Sequence, residues 1–191
     1  MQKQQQRTKK MVIGAVMIGV YIALSYLAIP MGKFKITFEH FPVVICATLF
    51  GPMHAMLVGG IGEFLNQMFT FGFTPTTILW VIPIVVRGGV IGLAKKIFKS
   101  SMSVQKICDS KIPVLFGTVC IISGLLSSCV NTFALYVDSK MIGYYSYALV
   151  FGALTVRLVL SAVTSVVMTI MAKASSEWFE KAALMSASTS T

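Results

Sequence analysis

Acidic side chains are scarce in this chain. The 191 residues include six Asp and Glu against sixteen Lys and Arg, and only 12% are charged. A soluble domain of this length needs far more polar surface, so that class is excluded. There is no GxxxxGK[ST] pattern, which excludes ATP hydrolysis by a P-loop. There is no HExxH and no GxSxG, so the common hydrolase signatures are absent too. The four cysteines, Cys46, Cys108, Cys120 and Cys129, have neither CxxC nor metal-ligand spacing. The two histidines, His40 and His54, show no partner pattern. These absences predict no catalytic residues, no metal and no cofactor. The chain reads as a non-enzyme.

What remains is apolar. Hydrophobic residues make up 56% of the chain and its mean hydropathy is +0.83. They fall in runs at 11–30, 41–71, 76–94, 112–137 and 142–172, which is the pattern of membrane spans. The first run is too long for a cleavable signal and lacks a small-x-small site. Most basic residues lie in three clusters that flank these runs: Lys3 to Lys10, Lys95 to Lys111, and Lys173 with Lys181. That placement is a topology signal, not a nucleic-acid face.

Charge parity counts the helices. If the basic clusters share the cytoplasmic side, an even number of crossings separates the N-terminus from Lys95. Run 41–71 must then be split, and Phe50-Gly51-Pro52 supplies the break. The expected fold is an all-α membrane protein of six transmembrane helices at 11–30, about 37–50, 53–70, 76–97, 112–136 and 143–172. Both termini are inside. Residues 1–10 form a basic tail, 11–173 the membrane domain and 174–191 a disordered tail. The second helix is short for a ~30 Å core, so part of its path is loop or re-entrant, a pointer to a binding site. The outer loops lie at Met31–His40 (with Lys33, Lys35 and Glu39), 71–77 and 138–147, and the polar residues place a pocket in that outer half.

Two arginines stand inside spans, where a charge costs about 3 kcal/mol even on a lenient scale. Arg87 is ~12 Å from Lys95 along its helix. It either pairs with Glu63 as structural glue or joins a ligand site. Arg157 is ~24 Å from Lys173, too far to reach the inner face, so it faces the bundle. Its planar fork suits a carboxylate ligand. Glu63, Asn66 and Gln67 share one helical face and can bond a planar polar ligand. Ser123, Ser127 and Asn131 form a second polar stripe. Phe73, Thr74 and Thr76 sit on the outer 71–77 loop. Aromatic residues near the outer ends, including Trp80, Tyr136, Tyr144 and Tyr147, read mainly as an interfacial belt. Ala15, Gly19 and Ala23 form a small-residue stripe that allows close helix approach.

Several motifs occur in the order of a known family. They are the Ala15-x3-Gly19-x3-Ala23 stripe, Ile36-Thr37-Phe38 with Phe41-Pro42, Leu49-Phe50-Gly51-Pro52, Gly59-Gly60-x-Gly62-Glu63 and Gly72-Phe73-Thr74-Pro75-Thr76. From about Thr8 to Lys173 the chain resembles the S components of energy-coupling factor (ECF) vitamin transporters. It is most similar to the folate type, through Phe50-Gly51-Pro52, Glu63, Gly72-Phe73-Thr74, Asn131-Thr132 and Arg157. The pantothenate type shares the Ile-Thr and Phe-Pro pieces, and polar spacing does not separate folate, pantothenate and cobalamin.

The resemblance implies a vitamin-binding subunit in a prokaryotic plasma membrane. Loops cap the bound vitamin, and Arg157, Asn131, Glu63, Asn66, Phe73, Thr74, Thr76 and Arg87 are the candidate binding residues. It further implies docking on a T component through Ala15, Gly19 and Ala23, with two cytoplasmic ATPases driving uptake and the S component toppling to release its cargo. The rival class is a stand-alone carrier or channel gated by Arg87 and Glu63.

Overall fold

The computed structural model describes residues 2–27, 29–31, 34–36, 38–98 and 112–188. The basic loop 99–111 with Cys108, and also Lys33 and Thr37, lie outside the described residues. Helix α1 runs Gln2–Tyr26, and two short strands, β1 (Ile29–Met31) and β2 (Phe34–Ile36), follow it. Then come α2 (Phe41–Phe50), α3 (Pro52–Phe71), α4 (Thr77–Ile97), α5 (Ile112–Ile142), a one-turn α6 (Tyr147–Val150) and α7 (Leu154–Ser188). Taking α6 and α7 as one broken element gives six helices. Among the described residues, three segments are long and apolar enough to cross a membrane: Thr77–Ile97, Val114–Ile142 and Tyr147–Ala172.

The helix breaks follow backbone chemistry. Gly51 sits at φ +90° and Pro52 opens α3, so one residue ends a helix and the next starts another. Gly72 at φ +74° ends α3, and Gly143 at φ +90° ends α5.

Several features differ from expectation. Helix α1 already spans residues 2–10, expected as a tail, and ends at Tyr26 rather than at 30. The chain is not purely helical, because β1 and β2 pair antiparallel with Ile29 opposite Ile36. Helix α5 continues past 136 to Ile142, so Asp138 and Lys140 are helical and not in a loop. Helix α7 continues to Ser188, beyond the expected end at 173. The stretch 177–185 (EWFEKAALM) holds mostly Glu, Lys, Ala, Leu and Met, which carry high helix propensity.

Helix α2 decides the architecture. Residues Pro42 to Thr48 are all buried, so this helix is enclosed on every side. Close glycine contacts lock it in place. A Cβ on Gly59 would lie 3.2 Å from Val43, and one on Gly88 would lie 3.0 Å from the same side chain. The first turn of α2 is thus level with the middle of α3 and of α4. At its far end Lys95 Nζ donates to the Leu49 carbonyl at 3.0 Å, satisfying a terminal acceptor of α2. Helix α2 therefore fills one half of the bundle as a plug. The space beyond its N-terminus is left for a cavity.

Candidate functional site

That cavity has a volume of about 690 Å³, within the range of small-ligand sites. Helices α1, α3, α4, α5 and α7 and the loops near them wall it.

One wall is a polar network on α3. The Tyr21 hydroxyl donates to Glu63 Oε2 at 2.7 Å, and Gln67 Nε2 donates to Glu63 Oε1 at 2.7 Å. Asn66 Nδ2 adds a longer bond to Oε2 at 3.3 Å, and Ser25 donates to Asn66 Oδ1 at 2.9 Å. Gly62 makes this possible. A Cβ there would lie 2.8 Å from the Tyr21 ring, so the ring lies across the bare backbone and its hydroxyl reaches the next residue. The expected one-face stripe of Glu63, Asn66 and Gln67 is present.

Arg87 is 2% exposed in the middle of α4. Its Nη2 donates to Ser165 Oγ of α7 at 3.0 Å, and Ser165 in turn donates to the Ser161 carbonyl at 2.7 Å. No Arg87–Glu63 ion pair forms among the described residues; Glu63 takes its hydrogen bonds from Tyr21, Asn66 and Gln67. Among the described residues, Arg87 Nε has no hydrogen-bond partner, and neither does the Nδ1 of His40. His40 sits in the turn just before α2 and lines the cavity.

The opposite wall is built from α5 and α7. Ser127 and Asn131 line the cavity, whereas Ser123 turns away to bond the Cys120 carbonyl. Ser127 Oγ donates to the Pro83 carbonyl at 2.8 Å and so ties α5 to α4. The Asn131 amide makes no hydrogen bond among the described residues. Arg157 also lines the cavity, and two of its five N–H donors go to backbone carbonyls. Nη2 donates to the Leu149 carbonyl at 3.2 Å and Nη1 to that of Val150 at 3.4 Å. Those carbonyls end the single turn of α6 and have no intrahelical partner.

Two loops border the cavity. Thr74 and Thr76 line it, but their hydroxyls are mutually bonded, with Thr74 Oγ1 2.9 Å from Thr77 Oγ1 and 3.3 Å from Thr76 Oγ1. Phe73 is 70% exposed and does not line the cavity. Across the mouth Tyr144 donates to Asp138 Oδ2, and both residues line the cavity.

Sequence reasoning missed Tyr21, His40 and Asp138. For Tyr21 a signal existed: a phenol inside an apolar run needs a partner, and Gly62 beside Glu63 offers the room. His40 and Asp138 carry no such signal, because both stand at helix ends whose neighbours are set by tertiary packing.

A family model for the ECF-type riboflavin transporter S component matches residues 5–184. The chain belongs to this family. A solved structure described as the S component of a bacterial ECF transporter superposes with a TM-score of 0.63. It covers 91% of this chain and 98% of its own length at 16% identity, a likeness of fold. No curated protein matches the chain. An ECF S component is a vitamin-binding subunit and not an enzyme. The matching type is riboflavin, whereas the motif reading pointed to folate.

Proposed function

We propose that this protein is the riboflavin-binding S subunit of an ECF importer. The match over residues 5–184 carries the reading. The charge balance of the cavity supports it. Glu39, Glu63 and Asp138 line it together with Arg87 and Arg157, so the cavity carries no excess positive charge. Riboflavin is neutral, with an amide-like ring edge and a hydroxylated side chain, and neutral hydroxyl and amide groups line much of this cavity. Folate carries two carboxylates and would meet three more. Asn131, Glu63 and Asn66 are the residues we assign to the ligand. Thr74 and Thr76 close the loop above it, and Arg157 holds α6 in place.

The positive-inside pattern supports placing both termini and the 99–111 loop in the cytoplasm, with the cavity opening outward. All six helices then serve as the membrane domain of a prokaryotic plasma-membrane protein. Ala15, Gly19 and Ala23 are exposed on α1, and nothing lies within 4 Å of a Cβ built on Gly19. This open stripe supports docking on a T component, with two cytoplasmic ATPases supplying the energy. The carrier alternative expected a gate made by Arg87 and Glu63, and no such ion pair forms among the described residues.

The test is direct. The purified chain is denatured and released small molecules are identified by mass spectrometry. The refilled site is then titrated by quenching of flavin fluorescence. Stoichiometric riboflavin with submicromolar binding, not displaced by folate or pantothenate, is the expected result. Folate binding without riboflavin binding would overturn the reading.

A further inference from the structure

The end of the bundle away from the cavity brings two like charges together. A Cβ on Gly14 would lie 3.8 Å from Val58, and Tyr21 lies across Gly62, so this face of α1 packs on α3. Lys10 continues the same face one turn inward, about 40° from Gly14 at 100° per residue. Lys95 reaches this end from α4. Gly92 abuts Pro52 at the start of α3, and Lys95 stands one turn further inward with its Nζ on the Leu49 carbonyl at 3.0 Å. The two ammonium groups are close enough to repel. Among the described side chains the carboxylates are Glu39, Glu63 and Asp138, and all three line the cavity in the other half. The lysine pair therefore has no counter-charge from them.

An apolar track starts at this pair. Helix α3 packs against both α1 and α4, and it leaves Met53, Leu57 and Ile61 exposed, one residue per turn. Exposed Met11 and Leu93 flank the lysines in sequence. A soluble anion would use the charges alone, whereas a lipid uses both parts. The small-residue stripe lies elsewhere: Ala15, Gly19 and Ala23 stand about 140–220° around α1 from Lys10. Lys10 is thus set apart from the face assigned to a T component.

We propose that Lys10 and Lys95 hold the phosphate of one anionic phospholipid of the inner leaflet, with an acyl chain along Met53, Leu57 and Ile61. Basic pockets between helices on the cytoplasmic side bind such headgroups. A lipid of net negative charge, of the phosphatidylglycerol kind, neutralises the pair. A zwitterionic lipid brings its own cation toward the lysines and is disfavoured. The bound lipid fixes this end of the bundle at headgroup depth. The inference rests on the cytoplasmic placement of Lys10 and is independent of the vitamin.

The full chain is reconstituted in nanodiscs of equal phosphatidylglycerol and phosphatidylcholine, released into detergent, and its retained lipid counted by native mass spectrometry. Wild type should keep one phosphatidylglycerol and no phosphatidylcholine. Lys10→Gln should weaken that binding about fivefold, the worth of one basic side chain near an anionic surface. Lys10→Arg should preserve it and Lys10→Glu should abolish it. Lys10 is exposed, so the melting temperature in lipid-free detergent should be unchanged in all three, which shows that each folds. Lys95 is left intact because its bond to α2 is structural. Equal retention of the two lipids, retention of neither, displacement by inorganic phosphate, or wild-type retention in Lys10→Gln and Lys10→Glu would each overturn the proposal. If those variants keep the lipid but lose co-purification with a T component, the pair belongs to a protein partner instead.

Discussion

Around α2, α3 and α4 the backbones approach one another directly, whereas between α5 and α7 hydroxyl groups fill the gap. On the first side a Cβ on Gly92 would lie 2.4 Å from Pro52 Cα, and one on Gly88 would lie 3.1 Å from the Ala55 carbonyl carbon. On the second a Cβ on Gly124 would meet Ser165 Oγ at 2.4 Å and Ser161 Oγ at 2.9 Å. Burial divides the same way: 44% of the α4 span is buried against 11% of the span made by α6 and α7. Backbone contacts cannot rotate aside, and hydroxyls can. The first half is a rigid scaffold that fixes the cavity floor. The second is a polar wall with room to adjust around a ligand. The cavity lies between them, where rigidity sets its shape and polarity sets its chemistry.

Gly92→Ala should have the largest effect. Its methyl meets the first turn of α3, where nothing but backbone movement relieves the clash. Overpacking of this kind costs about 1–3 kcal/mol, and this site belongs at the upper end. A large fall in melting temperature in detergent is expected, with loss of ligand binding. Gly124→Ala comes next. The added methyl displaces a serine hydroxyl, so the stability cost should be nearer 1 kcal/mol. That hydroxyl is the sole hydrogen-bond partner of Arg87 among the described residues, so riboflavin affinity should fall more than the melting temperature suggests. Equal thermal losses in the two variants would end the distinction between the halves.

Much of the rigid half is legible in the sequence, because local chemistry writes it. Gly51-Pro52 forces a break, the spacing of Glu63, Asn66 and Gln67 puts them on one face, and the brevity of the second helix announces something other than a simple span. The polar half is less legible. Ser165 meets Arg87 from 78 positions away, and no periodicity shows that pairing. Arg157 lines the cavity, but its hydrogen-bond partners are carbonyls exposed by a one-turn helix that hydropathy does not reveal. The folate reading rested on Phe50-Gly51-Pro52, Glu63, Gly72-Phe73-Thr74, Asn131-Thr132 and Arg157, whereas the family model that matches is of the riboflavin type. Local motifs report the scaffold, and the contacts of Arg87 and Arg157 are ones that only the fold assembles.

The α1 face separates folding from assembly. Gly19→Leu adds a side chain where nothing lies within 4 Å, so melting temperature and riboflavin binding should both stay near wild type. Co-purification with a T component should be lost if the stripe is the docking face. Retained co-purification would move that interface elsewhere.

The smallest effect is expected at the mouth, and it tests whether the polar wall moves. Tyr144 bonds Asp138 across the Gly143 turn, joining the α5 end to the loop before α6. Burial, and then the Asp138 carboxylate, push the Tyr144 phenol up to about 12. A raised pKa means the contact is fully present below the ordinary tyrosine value near 10 and is lost as pH rises through about 12. Riboflavin release from wild type should therefore be constant from about pH 6 to 9 as far as this contact is concerned. Tyr144→Phe removes the bond at every pH. A partly exposed hydrogen bond contributes about 0.5–1.5 kcal/mol, so release should quicken several-fold while thermal stability barely changes. The phenylalanine keeps the ring, so any effect belongs to the hydroxyl. Unchanged release would show that the loop does not restrain the ligand, and the adjustable wall would then be α7 alone.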